Sequence, residues 1–228
     1  MTYKAVLFDA YGTILDVDSA AAILASSGRF PALKDRWPEL AALWRARQLN
    51  YCWLRSLSGD YILFWQITCD ALDYALEALG LEDAEMREAL LDLYRRLDAY
   101  EEVSEVLDAI DSAGLPAAIL SNGNHQMLAD AFTHAGLIDR FNAMISVEDV
   151  GIYKPSAEIY QLGCNSYDAA PGEILFASSN GWDAAAAAHF GYHSLWANRA
   201  SMPLERLAGT PHHIGSDLRA LIPLLSSS

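Results

Sequence analysis

Pro116-Ala-Ala-Ile-Leu-Ser-Asn-Gly123 is an apolar run that stops on small polar residues and leads into a helical pattern over 124–136. That unit, a short buried strand followed by a helix, decides the fold because it recurs on both sides. Downstream, Phe141–Ser146 reads as a strand and Pro155 opens a helix running to 167. Glu173–Ser178 is the next strand, Trp182–Phe190 the next helix, helped by the alanines at 184–188, and His193–Ala197 a further strand. Upstream, residues 3–8 (Tyr-Lys-Ala-Val-Leu-Phe) form one more, ending at Asp9 and Gly12. Short apolar runs without alternation, separated by helices, indicate a parallel sheet buried on both faces.

Between the first two strands the pattern changes. Residues 18–98 read as helix after helix: a helix entered at Pro38 and running through Leu49, then Tyr61–Leu79, then Asp83–Leu97. The simplest architecture is an open α/β core split by an all-helical insertion after its first strand, with core segments 1–16 and 99–228 and the insertion at 17–98. No internal repeat is present, and Ser226–Ser228 is expected to fray.

The composition sets limits on function. The chain has 228 residues, 53% of them hydrophobic, and a net charge of −15. That length folds as one domain with an insertion and needs no disulfide or structural metal. The acidic balance excludes a nucleic-acid binder, which needs a basic surface against phosphates. An anion site must then come from a few local cations, so each is informative; Lys154 is the sole lysine of the C-terminal two-thirds. Cys52, Cys69 and Cys164 have no zinc spacing and fit reduced thiols. The first residues carry no signal-peptide pattern, and no apolar run is long enough for a bilayer, so a cytoplasmic protein without membrane contact is expected.

Ligands of open α/β sheets bind beyond the carboxyl ends of the strands. Those ends carry Asp9-Ala-Tyr-Gly-Thr13, Ser121-Asn-Gly123, Lys154-Pro155 and Ser178-Ser-Asn-Gly-Trp-Asp183. Together with Phe8-Asp9-Ala-Tyr-Gly-Thr-Ile-Leu-Asp16 and Trp44-Arg45, they resemble the four motifs and the cap of the haloacid dehalogenase superfamily, in its L-2-haloacid dehalogenase branch. The resemblance spans the whole chain. The Asp-x-x-Gly-Thr start specifies only the superfamily, whereas the Tyr-Gly-Thr, Trp-Arg and Ser-Ser-Asn combination specifies the branch.

The resemblance implies a Rossmann-like, mostly parallel core with a helical cap, and a covalent mechanism. Asp9 would displace halide from C2 of a short 2-haloalkanoate, inverting that carbon, and water would cleave the resulting aspartyl ester to a D-2-hydroxyacid. Arg45, with Asn122, would cradle the departing halide. Lys154 would compensate the charge of Asp9. Ser178, Asn180 and Asp183 would place the hydrolytic water, and Thr13 and Tyr160 would support them. Ser121 would hold the substrate carboxylate. Tyr11, Leu49, Phe64 and Trp182 would line the pocket; Leu49 shares a helical stripe with Arg45 at i+4. A homodimer is also implied.

No cofactor or metal is expected. Phosphatases of the superfamily place a second aspartate two residues after the nucleophile, where this chain has Tyr11, and a magnesium-binding Gly-Asp pair where it has Ser178-Ser179. These changes remove the general acid and hard oxygen ligands that Mg²⁺ needs. A Mg²⁺-dependent phosphatase or phosphonatase is the alternative reading, and a catalytically idle binding protein the third. Ala46 stands where the branch often has glutamine. Among residues of bland reading, Asp70, Asp73, Glu101 and Glu102 fit solvated faces, and His212-His213 fit a loop.

Overall fold

The computed structural model describes residues 2–225; the expected fraying of Ser226–Ser228 lies outside them. Strand β1 (Ala5–Phe8) is followed by α1 (Ser19–Ser26), α2 (Trp37–Ser58), α3 (Phe64–Leu79) and α4 (Ala84–Tyr94). Then come α5 (Val103–Ser112), β2 (Ala117–Ser121), α6 (His125–His134), β3 (Ala143–Ser146), α7 (Ala157–Ser166) and β4 (Ile174–Ser178). They are followed by α8 (Gly181–Phe190), β5 (His193–Ala197), β6 (His213–Gly215) and the short α9 (Ile222–Leu225).

The strands form one sheet in the order β3-β2-β1-β4-β5-β6, with every neighbouring pair parallel. Every residue of β1, β2 and β4 is buried. Successive side chains on a strand point to opposite faces, so unbroken burial means that both faces of the central sheet are covered. Helix α7 lies against β2 and β3, and α8 against β4 and β5. The strand order reverses beside β1, with β2 on one side and β4 on the other, which opens the crevice for a ligand at their carboxyl ends.

Helices α1–α4 fill the interval between β1 and α5, and α2 and α3 pack along each other. The chain leaves and re-enters the core at one place. Leu15 forms an antiparallel bridge with Ala99, Asp16 N–H donates to the Asp98 carbonyl at 2.9 Å, and Tyr100 N–H donates to the Ile14 carbonyl at 3.0 Å.

Several boundaries differ from the sequence expectations. Helix α2 runs on past Leu49 to Ser58, because nothing in Asn50–Ser58 interrupts it before Gly59. Helix α3 begins at Phe64 rather than Tyr61, since Leu63 is extended. The helix beyond Pro155 starts at Ala157. His213 opens strand β6 instead of lying in a loop; three residues on a sheet edge are too short for a visible pattern. Glu101 is exposed as expected, but Glu102 is 2% exposed, a solvated-face reading that the structure overturns.

Candidate active site

Asp9 follows the last residue of β1 and is 6% exposed. Its Oδ2 accepts from Thr13 Oγ1 at 2.9 Å and from Asn180 Nδ2 at 2.8 Å. Among the described residues, its Oδ1 accepts only from Lys154 Nζ, at 3.2 Å. The turn that brings Thr13 back needs Gly12 at a φ of +87°, a region costly for any residue with a Cβ. Thr13 Oγ1 also accepts from the Ser179 N–H at 2.8 Å, so this one hydroxyl ties the β1 turn to the β4 turn.

Lys154 is fully buried, and its ammonium lies between two carboxylates, donating to Asp183 Oδ2 at 2.8 Å as well as to Asp9. Burial alone would push its pKa down, but Asp183 and then Asp9 outweigh burial and hold it above the ordinary lysine value. Asp183, in the first turn of α8, is also fully buried, and burial lifts its carboxyl above the usual range against the pull of Lys154. Its Oδ1 accepts from Tyr160 Oη at 2.7 Å. Burial keeps the Tyr160 phenol protonated, hence a donor.

The cap closes the other side. Arg45 on α2 reaches down with Nη2 to the Tyr11 carbonyl at 3.2 Å and to Asn180 Oδ1 at 3.3 Å. Asn180 therefore touches Asp9 and the cap arginine with the two ends of one amide. The Tyr11 ring is held between Tyr94, stacked at 5.7 Å, and Phe64, tilted at 5.7 Å. Tyr11 also passes so near Gly123 that a Cβ there would lie 2.7 Å from its ring. Burial raises the Tyr11 phenol well above its ordinary value.

The remaining expected residues fall at the same crevice with distinct contacts. Ser121 Oγ accepts from the Gly123 N–H at 3.0 Å, which leaves its own proton to donate. Asn122 Oδ1 accepts from the Lys154 N–H at 3.0 Å and so anchors the lysine loop, while its amide N–H₂ has no hydrogen-bond partner among the described residues. Asn122 makes no hydrogen bond to Arg45. Ser178 Oγ accepts from the Asn180 N–H at 3.1 Å and shapes the turn instead of touching Asp9. Leu49 and Trp182 line a cleft of about 650 Å³ together with Arg45 and Asn180. Phe64 is buried against Tyr11 and Tyr153, behind the cleft wall. A larger cleft, about 1040 Å³, lies on the other side of Trp182 among Trp53, Tyr153, Phe190 and Leu207; neither cleft includes Asp9.

One polar residue of the site carries no motif in the sequence. Gln48, 1% exposed, accepts from Arg45 Nη1 at 2.7 Å and donates through Nε2 to Thr68 Oγ1 at 2.7 Å and Tyr94 Oη at 3.1 Å. The signal that could find it is its spacing: it lies three residues after Arg45, on the same helix face. Among the described residues no group of three His, Cys, Asp or Glu side chains is placed to hold a metal ion, and no helix is long and apolar enough to cross a membrane.

This arrangement matches proteins already known. A haloacid dehalogenase-like hydrolase profile matches residues 3–191. The (S)-2-haloacid dehalogenase 1 of Pseudomonas sp. (strain CBS-3) is 42% identical over 223 residues, covering 97% of this chain and 96% of that protein. A crystal structure of a dehalogenase with an intermediate complex aligns over 100% of this chain and 99% of its own, at 38% identity and a TM-score of 0.93. The L-2-haloacid dehalogenase of Xanthobacter autotrophicus with covalently bound chloropropionic acid gives 34% identity and a TM-score of 0.89 over 99% of both chains. The chain belongs to the haloacid dehalogenase-like hydrolase family.

Proposed function

We propose that the chain is a carbon–halide hydrolase, an (S)-2-haloacid dehalogenase that converts short L-2-haloacids to D-2-hydroxyacids plus halide without a metal. The observation that carries this reading is the bonding of Asp9. Thr13 and Asn180 both hold Oδ2, whereas Oδ1 has, among the described residues, a single longer contact, to the Lys154 ammonium. Oδ1 is thus the oxygen free to form a bond, desolvated and aligned by a rigid turn.

In the first step Asp9 Oδ1 bonds to C2 as the C–halogen bond breaks and halide leaves with the electron pair. In the second, water adds to the Asp9 carboxyl carbon, and the ester C–O bond to Oδ1 breaks. This returns the carboxylate and releases the hydroxyacid and a proton. Arg45 supplies the positive charge for the leaving halide, and the Asn122 amide N–H₂ adds a donor. The Ser121 hydroxyl proton serves the substrate carboxylate. Lys154 offsets the charge of Asp9 and stays protonated throughout. Asp183, with Asn180 and the turn shaped by Ser178, places the hydrolytic water; Thr13 and Tyr160 hold Asp9 and Asp183. Leu49 and Trp182 form the apolar wall, and the buried Tyr11 and Phe64 rings back it.

The proposal extends to a homodimer in the cytoplasm, with a core of 1–16 and 99–228 and a cap of 17–98. The crossing at Leu15 and Ala99 supports those limits. Leu54 and Leu57, exposed on α2, supply apolar surface for a second copy. A lysine ammonium between the two carboxylates, and tyrosine at position 11, count against the Mg²⁺-dependent phosphatase reading.

The test is halide release in EDTA from L- and D-2-chloropropionate. D-lactate from the L acid is the expected product. Silence there, with phosphate released from p-nitrophenyl phosphate once Mg²⁺ replaces EDTA, would transfer the chain to the phosphatases.

Gln48 provides a second check on the halide side. Gln48→Leu should cost roughly 1–3 kcal/mol in denaturant unfolding, since the Thr68 and Tyr94 hydroxyls lose a buried partner. Its kcat/KM should drop about tenfold as Arg45 loses its fixed acceptor. Wild-type kcat/KM in this variant would show that Arg45 is oriented without it.

A further inference from the structure

Arg199 lies in the loop after β5, outside the motifs, yet its guanidinium meets three residues in two other stretches of the chain. Nη2 donates to the Thr13 carbonyl at 2.9 Å. Nη1 lies 2.6 Å from Glu102 Oε1, an ion pair by distance, without the alignment of a hydrogen bond. The guanidinium carbon stands 3.7 Å from the centroid of the Tyr100 ring, within the range of a cation–π contact. The Glu102 side chain is 3% exposed and that of Arg199 21%. A carboxylate buried that deeply needs its partner cation.

These contacts fall where the cap joins the core. Thr13 belongs to the outgoing passage, Tyr100 and Glu102 to the returning one, and the two passages are bridged at Leu15 and Ala99. Thr13 is also the residue whose hydroxyl donates to Asp9 Oδ2 and accepts the Ser179 N–H. A guanidinium fork that grips the carbonyl of Thr13 while stacked and charge-paired on 100–102 leaves that residue little freedom.

We propose that Arg199 is a positioning residue for the nucleophile, acting through Thr13 by pinning together the two passages that connect cap and core. The proposal rests on the reading of Asp9 as nucleophile. Without Arg199 the Thr13 carbonyl loses its side-chain donor, its hydroxyl drifts from Oδ2, and Asp9 loses alignment, not substrate contact. The effect belongs in kcat rather than KM.

The test compares Arg199→Met, Arg199→Lys, Thr13→Val and the Thr13→Val/Arg199→Met double variant for halide release from L-2-chloropropionate. Arg199→Met should lower kcat about ten- to a hundredfold, the scale of misplacing a reacting group, with KM nearly unchanged. Arg199→Lys should recover part of the loss, because it keeps the charge on Glu102 without the planar fork. In the double variant the Thr13→Val loss should absorb most of the Arg199→Met loss, as for residues acting along one chain. Losses that simply multiply, or a wild-type kcat in Arg199→Met, overturn the proposal. Should Arg199→Met fail to fold, the lysine variant carries the same cycle.

Amide exchange reads the link without turnover. The Ser179 N–H, bonded to Thr13 Oγ1, should lose protection in Arg199→Lys and Arg199→Met while α8 and β5 keep theirs. An unchanged Ser179 amide counts against Arg199 even if no halide is released. A wild-type chain that releases no halide removes the dehalogenase reading separately.

Discussion

Asp9→Asn should abolish halide release from L-2-chloropropionate, with a residual rate lower by at least about four orders of magnitude. The amide retains an oxygen for the Thr13 and Asn180 donors, while its N–H₂ replaces the oxygen that accepts from Lys154, which still has Asp183. What disappears is the anionic oxygen that the proposed mechanism joins to C2. A nucleophile that makes a covalent intermediate has no substitute in this site: Asp183 is fully buried and committed to Lys154 and Tyr160. Asp9→Ala should be equally inactive and guards against slow conversion of the asparagine back to aspartate. Activity in freshly made Asp9→Ala within tenfold of wild type would remove Asp9 from the chemistry.

Lys154→Met is expected to damage both activity and stability, and the stability loss carries a pH signature. Breaking a buried pair by deleting one partner costs roughly 3–5 kcal/mol, because the remaining charge keeps its desolvation penalty. In the wild type the lysine value is raised on folding. Its stabilising contribution is therefore complete below the unfolded lysine value and is lost only as pH rises through the higher folded value. Across the neutral range that contribution is constant.

The variant behaves differently. Burial already raises the Asp183 carboxyl with the ammonium present, and removing the ammonium raises it further. A carboxyl raised on folding contributes stability below its unfolded value that is lost as pH climbs through the folded one. Denaturant unfolding should thus show a larger deficit for Lys154→Met at about pH 8 than at about pH 5. The rate of halide release should fall at least about a hundredfold, since Asp9 Oδ1 loses the Lys154 ammonium. An equal deficit at both pH values would mean that Asp183 does not depend on the lysine for its charge.

Much of the fold and most of the candidate site are legible in the amino-acid sequence. The strands β1, β2 and β4 stand out because sheets covered on both faces carry unbroken apolar runs, and the polar residues just beyond those runs have to share one crevice. Asp9, Lys154, Asp183, Asn180 and Tyr160 are bonded to one another through that logic. Less local features stay hidden. β6 is a three-residue edge strand whose pairing to β5 is decided by tertiary contact. Glu102 reads as one of two adjacent surface acids. Only the fold reveals that Arg199, far along the chain, covers it. Gln48 escapes a reading by residue type because a glutamine directly after Arg47 on a helix looks solvated; its burial depends on α3 and on Tyr94 closing over it. Ser178 and Asn122 lie at the crevice that their motifs indicate, but hydrogen bonds to backbone amides do not follow from residue type.

The bridge between Leu15 and Ala99 has a consequence in polymer terms. An inserted segment whose ends already meet imposes on its host only the entropy of closing a loop. That cost grows with the logarithm of loop length, about 0.6 kcal/mol for each doubling. Once the two passages are stapled side by side, the sheet is nearly indifferent to how many helices lie between them. Asp9, on the sheet side of the staple, keeps its place while the inserted lobe is free to lengthen, shrink or be exchanged over evolutionary time.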